Sequence, residues 1–214
     1  MIFLDEKFVD ADLALRRGGH VNRDNFTLYN WVQDNFDVLS SYYANFGCRL
    51  RQHPDGFFFL VISGQKLKSR VLPMSCVHLG IFLALKARDP EITKTSGRIA
   101  VDQLLQDIET TVPAETLQKV YAPRARESQV GSRIHDEIAA GLKILADLKF
   151  IEIQNDSVKP LESIARFAEF ARHDNEPDET ALALLEDREG VVIAARDEED
   201  TENPDTSGEK HAEE

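Results

Sequence analysis

The sequence predicts a mainly α protein with small β-hairpins, an α+β chain in which one helix-then-hairpin unit is built twice. Three observations lead there. Apolar residues recur at steps of three and four along most of residues 8–170. Two pairs of short strand-like runs, each closed by turn residues, interrupt that pattern. The order of helices and then a hairpin occurs once before residue 67 and once after it.

Phe8 to Arg17 reads as a short helix stopped by Gly18-Gly19. Asp24 is placed to cap the next helix. Along it Phe26, Tyr29, Val32, Phe36, Leu39, Tyr43 and Phe46 mark one face of about six turns. Gly47 then takes the left-handed position after a helix. Trp31 and Tyr42 fall off that stripe; either a partner interface or packing inside one small domain would use them. Cys48 to His53 and Phe57 to Ile62 read as strands around the turn Pro54-Asp55-Gly56. Helices followed by a hairpin is the order of a winged-helix unit.

Ser63 to Arg70 is polar and basic, a linker or an extended wing. Pro73 opens a helix that is apolar almost all round over residues 74–87, so it should be central and buried. Ser96 can cap a helix carrying Val101, Leu104, Leu105 and Ile108, and Pro113 starts another with Leu117, Val120 and Tyr121. Ile134, Ile138, Leu142, Leu145 and Leu148 mark an amphipathic helix that runs into Phe150 to Ile153, a turn at Asn155-Asp156, and Val158. Pro160 begins a further helix through Phe170. The domains expected are therefore two winged-helix units in tandem, 1–66 and 67–173, then a short helical extension over 174–195 and a tail over 196–214. Thr180 to Glu189 is the candidate helix of that extension. The tail is acidic and has no large apolar residue, so it should be disordered.

The net charge of -13 is unevenly spread. Residues 174–214 hold 16 acidic and 3 basic residues, so residues 1–173 sum to zero with 22 of each sign. A neutral body binds nucleic acid only through a local basic patch, and the acidic pI neither supports nor excludes that. No apolar run approaches a membrane span and the N-terminus lacks a basic start with a long apolar stretch, which places the chain in the cytoplasm. Cys48 and Cys76 form no CxxC and read as buried thiols.

No GxSxG, HExxH, P-loop or GxGxxG in a strand-to-helix setting is present, and the six histidines have no ligand spacing. No catalytic residue, cofactor or metal is expected. His78, in an apolar helix, reads as a hydrogen-bonded core histidine, and His135 as an exposed one.

Two basic clusters remain: Lys66, Lys68 and Arg70 after the first hairpin, and Arg124, Arg126 and Arg133, joined by Lys143 and Lys149. Long cations in loops suit sequence-independent phosphate contacts, and ordinary solvated charge is the competing account of both clusters. The helix from Arg133 to Lys149 also carries Asp136, Glu137 and Asp147, which argues against base readout. That counts against the alternative of a free-standing winged-helix transcription regulator.

Ala14 to His20, the long aromatic helix and above all Pro54 to Leu60 resemble the N-terminal part of the MukE/MksE family. Leu142 to Ile153, Pro160 to Phe170 and the acidic tail resemble its second half more loosely. The resemblance implies a non-catalytic winged-helix subunit of a bacterial condensin-type SMC complex. It implies a homodimer that binds a kleisin subunit of the MukF/MksF kind, in a complex with an SMC ATPase of the MukB/MksB kind. It implies nucleoid association and sequence-independent contact with double-stranded DNA, in chromosome organisation and partition or in plasmid defence. Where MukE proteins of the enterobacterial type carry several arginines, residues 139–147 keep only Lys143 as a base. That departure and the compact length favour the MksE branch, and move the expected DNA contact to Arg124, Arg126 and Arg133.

Overall fold

The computed structural model describes residues 2–63, 66–67, 71–94, 96–171 and 191–192. Among them the chain is mostly helical, with small antiparallel sheets. The first half runs α1 (Glu6–Arg16), β1 (Val21–Asn22), α2 (Phe26–Asp34), α3 (Phe36–Ala44), β2 (Cys48–His53) and β3 (Phe57–Ile62). Asp5 caps α1 by accepting from the Lys7 amide at 3.0 Å, and Asn25 caps α2 by accepting from the Leu28 amide at 3.2 Å. The cap of α2 is therefore Asn25, one residue after the Asp24 that the sequence suggested.

The long aromatic helix expected over residues 26–46 is two helices. Asn35 leaves helical geometry at φ -110°, ψ 18°. Its amide side chain donates to the Trp31 carbonyl at 2.8 Å, competing with the backbone ladder as asparagine does. The stripe still points inward: Tyr29, Val32, Leu39 and Tyr43 are buried, whereas Phe26 is 68% exposed. Trp31 and Tyr42 are used inside this half. Trp31 Nε1 donates to Asp5 Oδ2 at 2.9 Å, and Tyr42 sits among Phe3, Phe8 and Phe46 at 5.1–5.5 Å between ring centroids in the pairs Phe3–Tyr42, Phe8–Tyr42, Tyr42–Phe46 and Phe3–Phe8.

Strands β2 and β3 pair over their full length, from Cys48↔Ile62 to His53↔Phe57, around Pro54-Asp55-Gly56. Gly56 has φ +89°, which a side chain would strain. The two-residue strand β1 adds to β3 through Val21↔Phe58 and Asn22↔Phe57, giving the order β1-β3-β2.

The second half runs β4 (Val71–Leu72), α4 (Met74–Lys86), α5 (Pro90–Lys94), β5 (Ile99–Ala100), α6 (Val101–Thr111), α7 (Ala114–Tyr121), α8 (Val130–Asp147), β6 (Ile151–Gln154), β7 (Ser157–Pro160) and α9 (Ala165–Ala171). α4 is the central helix that the sequence predicts, buried from Ser75 to Ala84 and packed by α8 and α9. Cys76 is a buried thiol on it, as Cys48 is in the first half. His78 joins Tyr121 through Nδ1 and the hydroxyl at 2.8 Å, the hydrogen-bonded core histidine expected. Ser96 does not cap α6: it lies in a turn with φ 59°, β5 intervenes, and Ala100 precedes the helix. Pro160 ends β7, and a 3-10 turn over Glu162–Ile164 separates it from α9. Asn155 and Asp156, both at positive φ, form the two-residue hairpin turn between β6 and β7. Ile99↔Val158 and Ala100↔Ser157 add β5, so the order β5-β7-β6 repeats that of the first sheet.

Two clusters of buried residues correspond to the halves. One spans Ala11 to Ile62, with Leu67 packed against it, and the other spans Leu72 to Ala168. A last short strand, β8 (Val191–Val192), pairs with β4. The candidate helix over residues 180–189 and the tail over 196–214 lie outside the described residues, and within 174–195 the described pair Val191–Val192 is strand. No described helix is long and apolar enough to cross a membrane.

Candidate nucleic-acid interface

The second basic cluster is built on the turn between α7 and α8. α7 closes with the Ala122 amide bonded to the Gln118 carbonyl at 2.9 Å. The chain then crosses to a 3-10 turn at Glu127–Gln129, closed by the Gln129 amide on the Arg126 carbonyl at 2.8 Å. Proline and these two closures hold Arg124 and Arg126 outward, and both are exposed. Arg133, in the first turn of α8, is exposed as well. Arg124 and Arg133 line one open cleft of about 700 Å³, together with Tyr121, Asp136 and Glu137. Ser75 Oγ donates to Glu137 Oε1 at 2.7 Å, which holds that carboxylate toward α4. Burial first, then Cys76 and Glu137, keeps the Tyr121 hydroxyl neutral far above the usual tyrosine range. The cleft therefore offers two guanidiniums, Arg124 and Arg133, and the carboxylate of Asp136. Such a surface suits an extended, multiply charged partner touched at its edges better than a small anion enclosed on all sides.

Lys143 is exposed on α8 and shares the face of Arg133, Asp136 and Asp147. His135 is engaged across α6, Nε2 to Glu109 Oε1 at 2.8 Å. Lys149 is exposed at the end of α8, at φ 61°. In the first cluster, exposed Lys66 folds back so that Nζ donates to the Asn45 carbonyl at 2.8 Å. Lys68 and Arg70 lie outside the described residues. Lys66 and the second cluster are thus carried by different halves.

How those halves are held together is not visible in the sequence pattern. α1 ends in a left-handed turn, with the Gly18 amide on Leu15 O at 3.0 Å and the Gly19 amide on Ala14 O at 2.9 Å. α8 ends the same way, with the Lys149 amide on Ala146 O at 3.0 Å and the Phe150 amide on Leu145 O at 2.9 Å. The two helix ends face each other. His20 Nδ1 donates to the Leu148 carbonyl at 2.8 Å, and Asn22 Nδ2 donates to the Lys149 carbonyl at 2.7 Å. The Ser163 amide donates to Asn22 Oδ1 at 3.0 Å. Arg166 Nη1 donates to His20 Nε2 at 2.9 Å, which fixes the imidazole as neutral with its proton on Nδ1. Burial first, then the charge of Arg166, holds His20 down at about 3.

Phe150 lies 4.3 Å from the His20 ring, and Arg166 lies 4.3 Å over the Phe59 ring. At the far end of β2, His53 Nε2 donates to Glu169 Oε1 at 2.8 Å while its ring stacks on Phe57 at 4.4 Å. Sequence reasoning misses Asn22, Ser163 and Arg166, and takes Gly18-Gly19-His20 only as a helix stop and a family resemblance. The available signal is the second glycine: a Cβ there would lie 2.8 Å from Ala14 O and 3.6 Å from Leu148 O. Arg49 and Arg51 are missed too. They alternate with buried Leu50 and stand exposed on the outer face of β2, a placement legible in the alternation of Cys48 to Gln52.

The chain is similar to known proteins over most of its length. The family described as condensin complex protein MksE matches residues 6–172. The chain is 26% identical over 211 residues to the chromosome partition protein MukE of Escherichia coli K12, covering 95% of this chain and 90% of that protein. It is 25% identical over 206 residues to the MukE of Photorhabdus laumondii, 94% of this chain and 89% of the relative. With the MukE of Vibrio cholerae it shares 26% identity over 189 residues, 86% and 82% of the two chains.

Proposed function

The chain belongs to the MksE family of condensin complex proteins, and on that footing we propose that it is a non-catalytic scaffold of a chromosome-partition complex, made of tandem winged-helix domains over residues 1–66 and 67–173. It acts as a homodimer, grips the kleisin subunit, and through it joins the SMC ATPase in the cytoplasm, at the nucleoid. The observation that carries this reading is the junction built on His20. Two helix-and-hairpin units with the same strand order are fixed relative to each other by hydrogen bonds over 120 residues apart in sequence. A rigid pair of small units presents a large outer surface in one fixed shape, which is what a subunit that positions other chains requires.

DNA contact belongs to the same proposal. Arg124, Arg126 and Arg133, supported by Lys143 and Lys149, touch the phosphate backbone of duplex held in the complex. The mixed charge of the α8 face makes this contact positional and indifferent to base sequence. It serves chromosome organisation; exclusion of plasmids is the same grip applied to a different circle. Co-expression with the kleisin and SMC subunits tests the reading. Retention of both on a tag carried by this chain is the expected result, and a chain that elutes alone in their presence refutes it.

A further inference from the structure

Exposed apolar side chains gather on one helix of the first half. Of the eight large apolar residues that stand exposed among the described residues, Phe3, Leu4, Val9 and Leu13 lie within or just before α1. Val9 is 49% exposed and Leu13 46%, and they sit one turn apart on the same helix face. Leu4, 82% exposed, belongs to a 3-10 turn over Ile2–Leu4 that packs against α1. Single exposed apolar residues need no partner, but a strip of them on one face marks a contact surface.

The charged residues on that face identify what covers it. Glu6, Asp10 and Arg17 are exposed and share the helical spacing of Val9 and Leu13. The two acids stand toward the N-terminal end of the strip and the cation at its C-terminal end. Arg16, the neighbouring cation, is engaged inside the chain: Nε donates to Asp12 Oδ1 at 2.9 Å and Nη2 to the Tyr42 hydroxyl at 2.6 Å. Glu6, Asp10 and Arg17 have no ion pair among the described residues. The strip is therefore apolar at its centre and oppositely charged at its ends, so it complements itself when turned end for end. Two copies of α1 laid antiparallel set Val9 against Leu13 of the second copy, and Arg17 against the acids at the second copy's other end. The opposed helix dipoles favour the same arrangement. A peptide of one charge would be matched at one end of the strip and repelled at the other.

We infer that the α1 face of Val9 and Leu13 is the surface on which two copies of this chain pair about a two-fold axis, with Arg17 of each copy held by Glu6 and Asp10 of the other. The inference rests on the homodimer proposed above and assigns its interface. The face includes no residue of the α7–α8 cleft and none of the hydrogen bonds made by His20 and Asn22.

Sedimentation equilibrium of the intact chain and of charge-reversed variants tests the pairing. All the changed residues are exposed, and equal urea midpoints check that each variant keeps the fold. Arg17→Glu makes both ends of the strip acidic, and Glu6→Arg combined with Asp10→Arg makes both ends basic. Each variant alone self-associates about ten-fold more weakly than the wild-type chain, because like charges now meet at both ends. Mixed in equal amounts, the two recover about the wild-type affinity as a heterodimer, since every end again faces its opposite. Leu13→Lys weakens association by about ten-fold or more, alone and in every mixture. Wild-type association in all the variants, or weakening that mixing does not reverse, overturns the assignment and leaves the homodimer to another face. Intact self-association together with loss of the co-expressed kleisin makes that subunit the occupant of the strip, and likewise overturns it. A wild-type chain that is monomeric by itself sinks the homodimer and this interface with it.

Discussion

The imidazole of His20, in the loop after the first helix, donates its Nδ1 proton to the carbonyl of Leu148, the last residue before the left-handed turn that closes α8, at 2.8 Å. One side chain thereby caps the end of a helix in the other half of the molecule. It also accepts from Arg166 at 2.9 Å, so it has a partner on each nitrogen and no room for a second proton.

That arrangement sets a pH dependence. His20 titrates at about 3 in the fold against about 6.5 in the unfolded chain. Between those values the unfolded chain holds more protons, so stability rises with pH: the contribution is complete above about 6.5 and is lost as pH falls toward 3. His20→Gln keeps a donor and removes the titration. In urea unfolding the wild-type chain loses roughly 1.4 kcal/mol per pH unit relative to this variant below about 6.5. Parallel curves for the two proteins would mean that the imidazole is not held neutral.

Gly19 is the close approach that permits the contact. Gly19→Ala sets a Cβ 2.8 Å from Ala14 O and should cost about 1–3 kcal/mol, read as a fall in the urea midpoint. Gly131→Ala, on α8 with nothing within 4 Å of its added carbon, should be neutral or stabilising by up to about 1 kcal/mol. Equal effects at the two positions would count against the junction as drawn.

Much of this fold is readable in the sequence, and the failures have physical causes. The hairpin Cys48–His53 with Phe57–Ile62 is legible to the residue because strand alternation and an Asp-Gly turn agree. α4 is legible because it is apolar on every side. The division at Asn35 is not, since the apolar step of three and four runs through it unchanged and only a side-chain bond to Trp31 O marks it. β1 and β5 are two residues long, too short for any periodicity; their existence depends on partners far along the chain. The same holds for the junction: His20, Asn22, Ser163 and Arg166 acquire meaning only when residues 120 or more apart meet. The exposed cations at Arg124, Arg126, Arg133, Lys143 and Lys149 are legible because loops and polar helix faces show in the pattern. The outward placement of Arg49 and Arg51 is legible in the alternation of β2, but alternation with Leu50 leaves no run of cations to single them out as a cluster.

Lys149 separates stability from binding. It occupies a left-handed position, φ 61°, where a lysine is strained and glycine is not. Lys149→Gly should therefore stabilise the chain, by about 0.5–1 kcal/mol in urea unfolding. If the Lys149 ammonium touches phosphate, the same change weakens duplex binding by the assembled complex. A stabilised protein with unchanged binding would remove Lys149 from the interface.

Reversal of Arg124, Arg126 and Arg133 to Glu tests the α7–α8 surface. All three are exposed, so folding should be preserved. Binding of duplex by the complex weakens most at low salt. The slope of log affinity against log salt becomes shallower by about 0.9 for each phosphate that the protein ceases to neutralise. An unchanged slope would remove the assignment.

The most direct measurement is mass by light scattering, for the isolated chain and for its complex with the kleisin. A scaffold that grips other chains as a pair gives twice the 24.2 kDa of one chain when alone, and two copies per kleisin site in the complex. A 24.2 kDa species that stays monomeric and leaves the kleisin in a separate peak would contradict the account.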